Sequence, residues 1–183
     1  MDNLGILKTE GTAFVMVDIQ GKFKSVITGY DEVIKNANIL VEIADVLELP
    51  LIITEQYPKG LGRTDESITL PDGAAVIEKT TFSCFGCDEF VHALKHYDVK
   101  TVVLFGIETH ICVLQTALDL IDHGYRVHLV TDAVSSRSIE NKMVGVERMK
   151  QAGVLLSSTE TLAFQLLKKA GGEKFKIISQ LIK

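Results

Sequence analysis

The chain contains no tryptophan and only three prolines and three cysteines among its 183 residues. An odd number of cysteines does not make a complete disulfide framework, so a reducing compartment is the simplest location, and we expect a cytoplasmic protein. The amino terminus lacks the basic and apolar segments of a secretory signal, and no apolar run is long enough to span a bilayer. We therefore expect no membrane partner.

The chain also has fewer basic than acidic residues. Lysine and arginine together number 19 against 24 acidic residues, which gives a net charge of -5. A nucleic-acid-binding surface needs clustered basic residues to neutralise phosphates, so we expect no nucleic-acid partner. The hydrophobic fraction of 46% is enough for a substantial core. Length and composition together predict a single domain over residues 1–183.

The apolar residues follow an alternating pattern of short and long segments. Short runs rich in β-branched residues predict strands, and the longer segments between them have helical periodicity. The predicted strands are Thr12–Asp18, Leu51–Thr54, Ala74–Glu78, Thr101–Phe105, Arg126–Thr131 and Val154–Ser157. The predicted helices are Tyr30–Leu49, Cys87–Tyr97, Thr109–His123, Ser138–Ala152 and Thr159–Leu167. This alternation predicts an α/β fold in which helices cover both faces of a parallel sheet, a three-layer α/β/α sandwich.

Three reactive residues follow three of the predicted strands. Asp18 ends the first strand, Lys79 follows the third, and Cys112 opens the helix after the fourth. Ligands of such sheets bind beyond the carboxyl ends of the strands. All three residues should therefore meet at this edge of the sheet, which is called the rim below. The positive end of the helix dipole should favour the thiolate of Cys112. Asp18 is then a candidate general base, and Lys79 a candidate cation beside the thiolate and a substrate oxygen.

Each of these residues also has an ordinary structural explanation when it is taken alone. Asp18 could cap a helix, Lys79 could be a solvated surface charge, and Cys112 could be a small buried hydrophobic residue. Only their convergence on one rim predicts a catalytic site.

The segments around the three residues resemble the isochorismatase-like cysteine hydrolases. The matching features are Asp18 after an apolar strand, Lys79 before Thr80-Thr81-Phe82-Ser83, and Gly106-Ile107-Glu108-Thr109-His110-Ile111-Cys112-Val113. The segment Val130–Ser136 fits the family pattern as well. The resemblance implies a six-stranded parallel sheet in the order 3-2-1-4-5-6 and a catalytic triad of Asp18, Lys79 and Cys112. It also implies a homo-oligomer, a cis peptide bond between Ile107 and Glu108, and an oxyanion hole formed by the amides of Glu108 and Cys112.

The same resemblance implies a reaction, and two features of this sequence argue against two other reactions of the family. It implies hydrolysis of a C–N bond in a small amide-like molecule through a thioester on Cys112. Nicotinamidases of this family bind a metal through an Asp and histidines after the second strand. Here that region reads Thr54-Glu55-Gln56-Tyr57-Pro58-Lys59-Gly60, and no histidine occurs before His92, so we expect no metal and no cofactor. Isochorismatases that act on a vinyl ether lack the cysteine, so Cys112 argues against that reaction too.

Five residues on the same rim are candidates for substrate binding, although each could instead be ordinary loop packing. They are Gln20, Phe23, Tyr57, Phe82 and Glu108. Two other functions stay open at this point: a non-hydrolytic protein that uses the fold for binding or scaffolding, and an enzyme whose Cys112 reacts with a thiol or a peroxide. Cys84 and Cys87 have C-x-x-C spacing, but no second Cys/His pair accompanies them, so they do not predict a zinc or redox site.

Overall fold

The computed structural model of the protein describes residues 5–183, and its centre is a sheet of six parallel strands. The strands are β1 (Thr12–Val17), β2 (Leu51–Gln56), β3 (Ala75–Lys79), β4 (Thr101–Ile107), β5 (Arg126–Ser135) and β6 (Leu155–Ser157). They lie in the order β3-β2-β1-β4-β5-β6. The predicted fold class and strand order are therefore confirmed.

Seven α-helices surround the sheet in the described part of the chain. They are α1 (Tyr30–Val46), α2 (Pro58–Leu61), α3 (Asp88–His96), α4 (Leu114–Asp122), α5 (Ile139–Gln151), α6 (Thr159–Leu167) and α7 (Glu173–Leu181). Helices α1, α6 and α7 contact one another, and α4 packs against α5. These two groups are outer layers of the sandwich.

The central strands β1 and β4 carry the core. Every residue of both strands is buried, which fits the run of consecutive apolar positions in each strand. A fully buried Phe or Leu side chain stabilises the fold by about 1.5–3 kcal/mol relative to an exposed one. Because β1 and β4 are neighbours, their carboxyl ends are held at fixed positions in the middle of the molecule.

Gly106 permits the close pairing of these two strands near the site. It has φ +122°, and it pairs with Val17 at the end of β1. A Cβ atom at this position would overlap the carbonyl oxygen of Val17. The residue therefore has to be glycine for the ends of β1 and β4 to approach as they do.

Several element boundaries differ from the predicted ones. The helix predicted over Thr109–His123 begins with a π-helical turn, Thr109–Val113, before α4. Strand β5 runs four residues beyond its predicted end at Thr131, and its pairing with β4 shifts register between Leu104 and Gly106. The short helix α2 and the C-terminal helix α7 were not predicted. Glycines and a proline in and before these segments resemble turn signals.

Candidate active site

The sheet brings the ends of four strands together around Asp18. Val17 pairs with Gly106 of β4 and with Thr54 of β2, and Gln56 of β2 pairs with Lys79 of β3. Asp18 therefore lies between the β2–β3 edge, which supplies Lys79, and the turn after β4, which supplies Cys112. The three residues that the sequence singled out meet at one rim.

A buried ion pair joins the first two of these residues. Lys79 Nζ lies 2.7 Å from Asp18 Oδ2, and the two side chains are 0% and 2% exposed. The other carboxylate oxygen, Oδ1, accepts a hydrogen bond of 2.7 Å from the hydroxyl of Thr54. The backbone N–H of Asp18 donates to the carbonyl of Thr54 at 3.1 Å. Strand β2 thus fixes both the backbone and the carboxylate of Asp18.

Lys79 is held on all sides by oxygen acceptors. Besides Asp18, its Nζ donates to Gln56 Oε1 at 2.7 Å and to the carbonyls of Thr81 and Phe82 at 3.2 Å each. Burial lowers the pKa of Lys79, but Asp18 and the neighbouring sulfur atoms, which raise it, together outweigh burial, so the net pKa is raised. The residue is therefore a fixed ammonium group, which can act through its charge while remaining protonated.

Cys112 is buried in the π-helical turn and lies beside this pair. It lies close enough to both residues for their charges to act on its thiol. Burial raises the pKa of the Cys112 thiol most, the Asp18 charge raises it further, and Lys79 opposes both effects. The expectation that a helix start favours the thiolate is corrected: loss of water and an adjacent carboxylate outweigh the helix dipole here. In the resting protein the sulfur carries its proton, with the carboxylate of Asp18 next to it to receive it.

This arrangement makes an unusual prediction for Asp18→Asn. Removing the carboxylate charge removes one cause of the raised pKa of Cys112 and leaves Lys79 unopposed, so the thiolate should form at lower pH. The pH profile of Cys112 alkylation by iodoacetamide, followed by peptide mass spectrometry, should shift by about one unit or more toward acid. A shift toward alkaline pH would contradict the proposed charge arrangement.

Glu108 lies between β4 and the π-helical turn. The peptide bond between Ile107 and Glu108 is cis. The carbonyl of Glu108 accepts hydrogen bonds from the N–H groups of Ile111 and Val113 at 3.1 and 3.2 Å, so Glu108 and Cys112 belong to the same turn. The buried carboxylate accepts hydrogen bonds from Arg137, from its backbone N–H at 3.0 Å and from Nε at 3.1 Å. Glu108 is therefore at the rim, with its side chain bound to the segment after β5.

Two of the other substrate-binding candidates, Gln20 and Phe23, make contacts that hold the structure together. Gln20 is fully buried. Its side-chain amide donates to the carbonyls of Gln56 and Gly62 at 3.1 and 2.5 Å and accepts from the N–H of Gln56 at 2.8 Å, which ties the loop after β2 to the end of β1. Phe23 is half-buried and packs against the core. Gln20 holds the walls of the site together and has no amide oxygen left unpaired for a ligand.

The remaining two candidates, Tyr57 and Phe82, are more than half exposed. Tyr57 lines a cavity of about 520 Å³ at the ends of β2 and β3, where Lys79 forms part of the wall. Neither Asp18 nor Cys112 lines this cavity. The structure therefore does not bring Tyr57 and Cys112 together around one cavity, although both lie at the carboxyl end of the sheet.

Four residues of this region were not singled out from the sequence. Thr54 and Gln56 hold Asp18 and Lys79 from β2, and Arg137 holds Glu108. Cys84 is fully buried, its Sγ lies 3.8 Å from the hydroxyl of Thr54, and burial raises its pKa to about 11. Thr54 and Gln56 lie near the carboxyl end of a predicted strand, which could have pointed to them. Their hydrogen bonds to Asp18 and Lys79, however, depend on the exact register of β1, β2 and β3.

Between residues 5 and 183, no group of three or more His, Cys, Asp or Glu side chains is placed to hold a metal ion. Within the same range, no helix is both long and apolar enough to cross a membrane.

A family model, several known proteins and a solved structure are similar to this chain. The model of the Isochorismatase domain matches residues 12–161, which include all three candidate catalytic residues. Isochorismatase family protein 1A of Dictyostelium discoideum is 38% identical over 99% of this chain and 90% of its own length. Secreted isochorismatase effector Isc1 of Phytophthora sojae is 39% identical over 98% of this chain and 88% of its own. The solved structure of MAR1 ribonuclease from Caenorhabditis elegans superposes with a TM-score of 0.91 at 38% identity, over 96% of this chain and 91% of that one.

Proposed function

Since the chain belongs to the isochorismatase family, we propose that it is a metal-independent cysteine hydrolase that cleaves a C–N bond of a small amide-like substrate. Asp18, Lys79 and Cys112 are its proposed catalytic residues. The observation that carries the proposal is the buried ion pair of Asp18 and Lys79, with the buried Cys112 close enough for both charges to act on its thiol. A base beside a nucleophile, with a third group that fixes the base, is the arrangement that covalent catalysis requires.

The first half of the reaction forms a thioester. Asp18 takes the proton of the Cys112 thiol as the sulfur attacks the carbonyl carbon, and the electron pair of the C=O bond moves onto oxygen. The backbone N–H groups of Glu108 and Cys112 are the proposed donors to this oxyanion. The oxyanion then collapses, the C–N bond breaks, and Asp18 returns the proton to the leaving nitrogen.

The second half releases the acid and restores the enzyme. Asp18 takes a proton from water, and the resulting hydroxide attacks the thioester carbon. The C–S bond breaks, the carboxylic acid leaves, and the sulfur regains a proton from Asp18. Lys79 keeps its proton throughout, because four oxygen acceptors surround its Nζ. Its fixed positive charge limits the cost of forming a thiolate in a buried site.

A search for the acyl intermediate tests this function. The protein is mixed with a panel of small amides and ureides, quenched at short times with acid, and analysed by peptide mass spectrometry. We expect product formation together with an acyl mass on the peptide that contains Cys112. Turnover with no adduct there, or an adduct on Cys84 or Cys87 instead, would contradict the mechanism. A sulfenic acid on Cys112 formed by peroxide, without amide turnover, would favour the thiol-redox alternative.

The name of the Caenorhabditis elegans relative raises ribonuclease activity as a second candidate. The net charge of -5 disfavours it, because RNA phosphates need basic partners. Incubation with end-labelled RNA separates the two functions: we expect no cleavage above that of the Cys112→Ala variant.

We also propose that the protein forms a homo-oligomer in the cytoplasm. Helix α5 packs one side against the π-helical turn, where Gly145 lies against His110, and leaves Ile139, Met143 and Val144 about half or more exposed. An apolar group of this kind beside a site is suited to burial against a second copy. Light scattering should give a mass of at least twice the 20.1 kDa of one chain, and the mass of a single chain would contradict the proposal. The three free cysteines suit a reducing compartment.

A further inference from the structure

We propose that Arg137 binds a carboxylate group of the substrate, so that the substrate is a small amide or ureide that carries a negative charge. This inference rests on the proposed hydrolase function and narrows it to one substrate class. Its basis is the position of Arg137, the way its guanidinium group is held, and the charges around it.

The position of Arg137 follows from the pairing of β4 with β5. Ile107 pairs with Ser135, the last residue of β5, so Arg137 comes two residues after the point where both strands end. The intervening residue, Ser136, places its hydroxyl 3.0 Å from Nδ1 of His110, which lies in the same turn as Cys112. The segment that carries Arg137 is therefore joined to the turn that carries the proposed nucleophile.

Glu108 orients the guanidinium group of Arg137 by binding only one of the three guanidinium nitrogen atoms, Nε. Nε of Arg137 lies 3.1 Å from each carboxylate oxygen of Glu108, and the backbone N–H of Arg137 donates to the same carboxylate at 3.0 Å. The terminal nitrogens, Nη1 and Nη2, contact no hydrogen-bond acceptor in residues 5–183, and the side chain is 60% exposed. A guanidinium fixed at Nε keeps four N–H groups in one plane, which suits bidentate binding of a carboxylate.

The charges of the rim are balanced in pairs before a substrate arrives. Asp18 is paired with Lys79 and Glu108 is paired with Arg137, so neither buried carboxylate is left without a cation. An incoming anion therefore meets no uncompensated negative charge on these residues, and the outward edge of Arg137 attracts it. A planar, permanently charged group anchored on its inner side gives orientation as well as affinity.

Two alkylating reagents of nearly equal size test the inference without knowledge of the substrate. Iodoacetate is an anion and iodoacetamide is neutral, and both alkylate cysteine thiols. The ratio of their rates at Cys112, divided by the same ratio for N-acetylcysteine, measures the preference of the site for a carboxylate. We expect a preference of about tenfold for iodoacetate in the wild-type protein, the size of one charge-assisted contact.

Three variants decide the role of Arg137. Arg137→Gln should reduce the preference to about one, through loss of the iodoacetate rate. Arg137→Lys keeps the positive charge, so this variant should retain a few-fold preference for iodoacetate. It replaces the glutamine variant as the test if that variant does not fold. Arg148→Gln on the exposed surface of α5 is the matched control and should keep the tenfold preference.

The outcomes separate this inference from the proposed function. Equal preference in the wild-type protein and both Arg137 variants overturns the carboxylate site. In that case, labelling of Cys112 by iodoacetamide leaves the proposed nucleophile in place. Labelling of Cys87 but not of Cys112 by either reagent overturns both proposals.

Discussion

Replacing Cys112 by alanine should abolish hydrolysis, with a fall in kcat of about 10⁴-fold or more once a substrate has been found. The physical reason is that no other thiol can take its place. Cys84 is fully buried against the hydroxyl of Thr54, and burial raises its pKa to about 11. Cys87 lies by the separate cavity at the ends of β2 and β3. Loss of a nucleophile that forms a covalent intermediate typically has an effect of this size.

Steady-state kinetics on three variants measure the effect. Cys112→Ser should also lose nearly all activity, because a hydroxyl is a far weaker nucleophile at neutral pH, and its similar size should preserve the fold. Cys87→Ser is the matched control and should stay within about twofold of the wild type. Far-UV circular dichroism checks that the fold is intact in each case. More than a tenth of the wild-type rate in Cys112→Ala would rule out a thioester on this residue.

The sequence predicted the candidate catalytic residues because each one follows an apolar run. Asp18 comes directly after the buried strand β1, Cys112 lies in the turn after the buried strand β4, and Lys79 is the last residue of the half-exposed edge strand β3. The parallel sheet has all those ends at one edge. The strand order came from the family resemblance, since the periodicity of separate segments does not say which strands are neighbours. The π-helical turn was not predictable because Thr109–Val113 continues the helical pattern of α4.

The environment of the site could not be predicted in the same way. The raised pKa of Cys112 depends on burial by several elements and on the nearby Asp18. The roles of Thr54 and Gln56 depend on which strand lies next to β1, and that of Arg137 on where β5 ends. A local helix signal, such as the dipole at Cys112, therefore gave the wrong direction for the pKa. Contacts between residues far apart in the chain determine the direction of the pKa shift of Cys112.

Replacing Lys79 by methionine should both inactivate the protein and lower its free energy of unfolding by about 3–5 kcal/mol. Methionine fills a similar volume but leaves the carboxylate of Asp18 buried without its cation, and breaking one side of a buried ion pair has about this cost. Urea denaturation with linear extrapolation measures the change. Lys100→Met is the matched control: Lys100 pairs with Asp98 at the surface, where both side chains are at least 70% exposed, so its loss should change stability by less than about 1 kcal/mol.

The double variant Asp18→Asn/Lys79→Met separates the ion pair from simple packing. Once both charges are gone, neither is left buried and unpaired, so the double variant should be more stable than the sum of the two single changes predicts. It should nevertheless be inactive, because the base is missing. Recovered stability without recovered activity means that the pair is coupled and that the protein keeps it for chemistry, since neutral residues of similar size can fill the same space. If the two losses are additive, Asp18 and Lys79 do not stabilise each other, and the electrostatic role proposed for Lys79 fails with that result.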